Sequence, residues 1–203
     1  MNFDCEIILA SNSLRRKELL KLIFENYDIV VSNVDEEKIE AKILKEKVEN
    51  SEKFSKICKN LAYAKCKKVS DSHSDKLVIS ADTVVYDDKK IFGKPKNFDD
   101  AKTTLEYLSG KTHIVETAVC IFHKGIFHQF SEKSFVTFNI LDTVQKELIK
   151  SYIENEKPFD KAGSYGIQDR GNLLIKEFKG DFFNIVGLPI SSLYRKLYEI
   201  QYL

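Results

Sequence analysis

A mixed α/β sheet is the fold this sequence predicts, and three observations predict it. Strand-like and helix-like segments alternate along the chain, which points to helices packed on a sheet. Two long β-type segments, 112–123 and 126–140, meet at Lys124-Gly125, a hairpin signal that excludes an all-parallel sheet. No repeat, low-complexity linker or composition break divides the 203 residues, so 1–203 reads as a single domain.

In chain order, the apolar run at 6–10 predicts a strand. Ser13 then caps a helix over 13–25, and 27–32 returns to strand. A charged segment with Asp35, Glu36 and Glu37 follows. Phe54, Ile57, Cys58, Leu61, Ala64 and Val69 recur at helical spacing, predicting a helix over 51–70 with Lys65, Lys67 and Lys68 among them. Strand character at 77–80 and 83–86 is interrupted by Ala81-Asp82, and Asp87-Asp88 makes a turn. A helix over 98–108 precedes the hairpin. Another, over 143–155, leads into a loop at 156–172, and short strands and a helix over 189–199 close the chain. Gly and Pro are absent from the first 92 residues, so special backbone geometry is concentrated late.

Hydrophobic residues make up 43% of the chain, enough for a sizeable core. With Lys+Arg at 32 against Asp+Glu at 31, the net charge is +1, which argues against binding nucleic acid by bulk charge and leaves room for a local basic pocket. Cys5, Cys58, Cys66 and Cys120 form no CxxC pair, and the four histidines lack zinc-finger or HExxH spacing, so a structural zinc site is not expected. Neither a signal peptide nor a membrane span is expected, and the cysteines read as reduced thiols of a cytoplasmic protein.

Four segments carry candidate chemistry. At 7–24, strand, Ser13, Arg15-Arg16 and helix follow one another; two arginines at the positive end of a helix suit an anion, although an ordinary cap with solvated arginines gives the same pattern. Asp82 places a carboxylate inside an apolar strand, as a general base, a metal ligand, or a residue capping a bend. Thr83 beside it is a pocket hydroxyl or a plain β-former. Gly93-Lys94-Pro95 fixes a turn that presents Lys94 as a point charge suited to phosphate. The glycine-rich stretch 161–171 can lay backbone beside a ligand, with Gln168 offering both donor and acceptor to a base edge. His113 reads as structural, and His123 and His128, flanking the hairpin turn, as surface residues.

Taken in order, ILASNSLRRKELL, the VDE at 34–36, LAYAKCKKV, SADTVV, GKPKNFDDA, LSGKTHIVETAV, KAGSYGIQDRG and IVGLPI resemble the Maf family of nucleotide pyrophosphatases over nearly the whole chain. The resemblance implies a mixed sheet with two lobes around a basic cleft, similar to the inosine-triphosphatase group. It also implies hydrolysis of a nucleoside triphosphate to monophosphate and pyrophosphate with Mg²⁺ or Mn²⁺. By the same resemblance Asp82 is the proton acceptor, Glu36 a metal ligand, and Ser13, Arg16, Lys65 and Lys94 contact phosphate. The trio Arg15, Thr83 and Gln168 resembles the branch acting on dTTP and UTP, with modified pyrimidine nucleotides not separated from these. A homodimer is compatible with the family pattern. The alternative reading is a nucleotide-sensing regulator linked to septum and division control, without turnover. Three residues depart from the pattern: Leu14 where Pro is usual, Asp169 where Gly follows the Gln, and Ala118 where Gly is usual.

Overall fold

The computed structural model describes residues 6–203; Cys5 lies outside them. Seven strands form one sheet. β1 (Ile7–Leu9), β2 (Asp28–Ile29), β3 (Leu77–Tyr86), β5 (Thr112–His123), β6 (Ile126–Phe138) and β7 (Ile175–Lys179) lie in the order β2-β1-β3-β5-β6-β7, and β4 (Ile91–Phe92) pairs with β3. Pairing of β1 with β2 and β3 is parallel and all other pairing is antiparallel, so the sheet is mixed as the hairpin requires. The helices are α1 (Leu14–Leu20), α2 (Glu36–Leu44), α3 (Asn50–Ser70), α4 (Phe98–Leu108), α5 (Thr143–Glu156), α6 (Phe182–Val186) and α7 (Ile190–Glu199), with 3₁₀ turns at Ala162–Ser164 and Arg170–Leu174.

Alternating side chains of β3 feed opposite cores. Val78, Val84 and Tyr86 pack with Phe54, Ile57, Leu61 and Cys66 of α3, while Leu77, Ile79 and Ala81 pack with Leu19 and Leu20 of α1 and Leu193 and Leu197 of α7. A third cluster joins Val85 to Ala101, Leu105 and Leu108 of α4 and Ile149, Tyr152 and Ile153 of α5. All helix starts with an Asx or Ser cap follow the local chemistry: Ser13, Asp35, Asn97, Asp142 and Asp181 each accept a backbone N–H from the first turn.

Several expectations need correction. The first helix stops at Leu20, where Leu22 and Ile23 donate to Leu19 and Leu20 in tight turns, and β2 is only two residues long. The charged segment at 36–44 is a helix; Ile39 and Ile43 alone mark its apolar face, and the Asp35 cap with Glu36 and Glu37 in the first turn is its clearest signal. α6 was also hidden, being short and rich in β-formers. β3 runs unbroken through Ala81-Asp82, because β5 pairs with it residue by residue, Asp82 opposite Ala118. Finally, His123 is buried at 8% exposure, its ring edge-on to Tyr202 at 5.2 Å, and is not a surface residue.

Candidate active site

A gap in hydrogen bonding along β3 creates the site. On one edge β1 pairs with Leu77, Val78 and Ile79, and β4 pairs with Val85 and Tyr86, while β5 covers the opposite edge from Val78 to Tyr86. Residues 80–84 therefore lack a strand neighbour on the first edge. After Ala10, whose N–H donates to Ile79 O at 2.7 Å, the chain turns away into Ser11–Ser13 and α1. A cleft of about 1170 Å³ opens there, a size suited to a nucleotide-sized ligand. Asp82 and Thr83 point to opposite faces of β3, and both reach this cleft only because the edge between them is uncovered.

Asp82, 8% exposed, accepts from Lys65 Nζ at 2.5 Å, and Lys65 Nζ also lies 2.8 Å from Glu36 Oε1. One ammonium from the C-terminal third of α3 thus joins carboxylates from β3 and from the first turn of α2. Burial pushes the Asp82 carboxyl above the usual carboxylate range, while Lys65 and Arg16 oppose that shift. Cys58 backs the strand, its Sγ 3.2 Å from Asp82 O and 3.2 Å from the Ala118 nitrogen, and burial pushes its thiol well above the usual range. It behaves as the small core residue its sequence context suggests.

On the other wall, Arg16 reaches back under the α1 start. Its Nε donates to Gly187 O at 2.9 Å, one terminal nitrogen to Thr83 Oγ1 at 2.9 Å and the other to Ser11 Oγ at 3.4 Å. One N–H on each terminal nitrogen is left for a ligand. Gly187 is required by its φ of +124°, and its hypothetical Cβ would lie 3.5 Å from Thr83 Oγ1. Thr83 in turn is 2.9 Å from Thr117 Oγ1, which donates to Asn184 O at 2.9 Å, and the Asn184 side chain bonds Thr117 N, Val115 O and Ser134 Oγ. A buried polar chain from α6 thereby fixes the hydroxyl that fixes Arg16. Ser13 caps α1, its Oγ 3.5 Å from Arg16 N, and Leu14 opens the helix at 75% exposure.

The late loop supplies the third wall. Gly163 N donates to Gly93 O at 3.1 Å, tying this loop to the turn that carries exposed Lys94. At Gly163, φ is +72° and a Cβ would meet Val85 Cγ1 at 2.9 Å, so only glycine lets the loop lie on β3. Gln168 is exposed on the cleft, whereas Asp169 turns back into its own loop: Oδ1 accepts from Gly171 N at 2.8 Å and caps the following 3₁₀ turn. Arg15 leaves the α1 wall and donates to Asp160 Oδ2 at 2.7 Å. His113 lies beneath this loop, Nε2 2.8 Å from the Tyr165 hydroxyl, and burial lowers its pKa to about 3, leaving a neutral structural ring.

All nine candidate residues, Ser13, Arg15, Arg16, Glu36, Lys65, Asp82, Thr83, Lys94 and Gln168, line the one cleft. Sequence reasoning missed Glu40, which stands one helical turn beyond Glu36 and whose carboxyl is raised by burial and then by Asp82, Glu36 and Glu37. It also missed the Gly187 carbonyl, Ser11 and Asp160. The expected basic cleft needs correction: Arg15, Arg16, Lys65, Lys94, Lys96 and Lys161 line it together with as many acids, Glu36, Glu37, Glu40, Asp82, Asp160 and Asp169, so the lining is balanced in charge.

This constellation, drawn from six separate segments, coincides with a family: a model described as Maf-like protein matches residues 6–200. The chain belongs to the Maf family. Among its Maf relatives, a dTTP/UTP pyrophosphatase of Thermosipho africanus is 45% identical over 195 residues, covering 96% of this chain and 93% of the relative. A dTTP/UTP pyrophosphatase of Bacillus cereus is 43% identical over 192 residues, covering 95% and 94%. The Maf family fold, an open mixed sheet flanked by helices, is the one described above. Among the described residues no helix is long and apolar enough to cross a membrane.

Proposed function

We propose that this chain hydrolyses dTTP and UTP to the monophosphate and pyrophosphate, with Asp82 as general base. The observation that carries the reading is the buried Asp82 carboxylate in the sheet gap, 2.5 Å from Lys65 and facing a wall built on Arg16. A raised carboxyl pKa brings the group toward the range useful for proton abstraction at neutral pH. Asp82 takes the proton of a water whose oxygen bonds to the phosphorus, and the phosphoanhydride bond breaks to release pyrophosphate. Arg16, with two free N–H groups, and Lys94 receive phosphate oxygens, and Ser13 borders the same wall. Arg15, Thr83 and Gln168 select the base; both relatives named above are called dTTP/UTP pyrophosphatases, which supports the pyrimidine substrate.

The donor set also fits a divalent metal, Mg²⁺ or Mn²⁺. Glu36 and Asp82 converge on one cation position, held here by Lys65 Nζ, and no group of three or more His, Cys, Asp or Glu is arranged for a metal among the described residues. Two carboxylates suit an ion that takes its remaining ligands from water and phosphate oxygens. When bound, such an ion would neutralise charge on the triphosphate. The ion would take the position that Lys65 Nζ holds between the carboxylates, leaving that ammonium for the phosphates. Three buried free thiols, Cys58, Cys66 and Cys120, suit the cytoplasm, which is the compartment we propose.

The test is a nucleotide panel with Mg²⁺ or Mn²⁺ and product identification. Release of pyrophosphate from dTTP and UTP ahead of purine nucleotides is expected. No release from any triphosphate overturns the reading, and tight binding without turnover across metals favours the sensor instead.

A further inference from the structure

Arg15 stands at the start of α1 and Gln168 on the late loop, and a chain of alternating charges joins the two. Arg15 donates to Asp160 Oδ2 at 2.7 Å, and the other Asp160 oxygen, Oδ1, takes Lys161 Nζ at 2.9 Å. The same Nζ lies 3.7 Å from Asp169 Oδ2, and Asp169 Oδ1 accepts from Gly171 N. Asp169 directly follows Gln168. The two cations and two anions neutralise one another across the cleft mouth.

The chain is tightly seated. A Cβ on Gly166 would meet Asp169 Oδ2 at 2.5 Å and Lys161 Cε at 3.1 Å, and one on Gly171 would meet Gly166 O at 2.6 Å. Lys161 and Asp169 side chains are only 14% and 21% exposed, Arg15 24%, and Asp160, at 62%, is the exposed link. Ion pairs this close to solvent contribute little to fold stability. What they do supply is a fixed separation between the α1 start and the late loop, which have no strand pairing between them.

We propose that Asp160 and Lys161 are positioning residues for base selection: they hold Arg15 and the Gln168 loop at one spacing and thereby set the width of the subsite that takes a pyrimidine. This rests on the proposed function and deepens it. A subsite of fixed, narrow width admits a single ring and excludes the larger purine, whereas a loosened one loses that discrimination. Phosphate contacts and Asp82 are untouched by the relay, so its loss acts on KM and selectivity and leaves kcat in place.

The experiment compares wild type with Asp160→Asn and Asp160→Glu, taking kcat and KM for dTTP and dGTP, and in parallel the binding of the α,β-methylene analogues of both nucleotides. For Asp160→Asn we expect KM for dTTP to rise about tenfold, kcat to stay within about twofold, and the dTTP preference over dGTP to fall about fivefold or more. Asp160→Glu restores part of the preference. In wild type, molar salt screens the exposed link and lowers the preference, an effect absent from Asp160→Asn. Unchanged KM and preference in an active Asp160→Asn protein overturn the proposal, as does a parallel loss of kcat and folding. Gly166→Ala, which displaces Lys161 and Asp169 without removing a charge, should lower the preference as well; an unaltered preference there also overturns it. Should wild type turn over no nucleotide, the proposed reaction fails, and the analogue binding ratio alone decides the inference: no difference between wild type and Asp160→Asn, or no binding at all, overturns it.

Discussion

The floor of the cleft and its rim are built by different rules. On the floor, Asp82, Lys65 and Arg16 belong to the regular elements β3, α3 and α1, and each is held by named partners, Arg16 by Gly187 O, Ser11 and Thr83. On the rim, Lys94 and Gln168 sit exposed on loops, and Arg15 is tethered by a single side chain. Groups that carry reaction chemistry must be held in place before the ligand arrives, because a misplaced base or cation forfeits the electrostatic gain. Groups that choose between ligands stand nearer the mouth, where side-chain ion pairs rather than the sheet hold their spacing. The two adjacent arginines show the contrast most directly, since one residue of spacing sends Arg16 into the sheet and Arg15 across the mouth.

That contrast breaks most severely at Asp82. Asp82→Asn should lower kcat by about 10³-fold or more while circular dichroism and the melting temperature stay near wild type, as expected for removal of a general base. In wild type the acid limb of kcat/KM should lie above the ordinary carboxylate value, because the ionised form is the active one and burial raises the pKa through which it is lost as pH falls. Next in size is Arg16→Lys, which keeps the charge and loses the fork to Gly187 O, Thr83 and Ser11; steady-state kinetics should show kcat/KM down by about 10²-fold.

A fourth measurement leaves the cleft. His113 has a folded pKa lowered to about 3, so the folded state resists a proton that the unfolded chain takes up below its pKa of about 6.5. Stability is therefore lost as pH falls from 6.5 toward 3, by about 2 kcal/mol at pH 5 from this group. Urea melts of His113→Gln, compared with wild type at pH 7 and pH 5, should show that much less acid sensitivity. On the rim, Gln168→Ala should raise KM for dTTP about tenfold and leave kcat unchanged, the pattern of lost uniform binding; a matching drop in kcat would move Gln168 to the floor group. The smallest effect is expected at Leu14, exposed at the first helical position: Leu14→Pro should add about 0.5–1 kcal/mol of stability in thermal melts and leave the kinetics alone.

Most of the architecture was legible because it rests on local signals. The hairpin at Lys124-Gly125, the Asn97 and Asp142 caps, and the apolar spacing of α3 each announce an element within a few residues. Elements with a cap but little apolar pattern behind it were lost: α2 follows Asp35 with two apolar anchors, and α6 follows Asp181 with only five residues. The β3 interruption failed for a different reason. A carboxylate in an apolar run looks like a break when read along the chain, but β5 supplies the backbone partners that carry the strand through it.

The sequence by itself determined which residue types gather: a buried Asp, cations in separated segments, glycines where loops must lie flat on β3. It also determined the mixed sheet, since hairpin and helix signals are short-range. Only the tertiary structure decided how those groups are shared. Lys65, read as a phosphate ligand, is held between Glu36 and Asp82; Asp169, a new negative charge beside Gln168, turns into its own loop; and Arg15 finds Asp160, 145 residues away along the chain. Such pairings depend on distances that no local pattern encodes, because they arise only when the gap between β1 and β4 brings three walls around one strand edge.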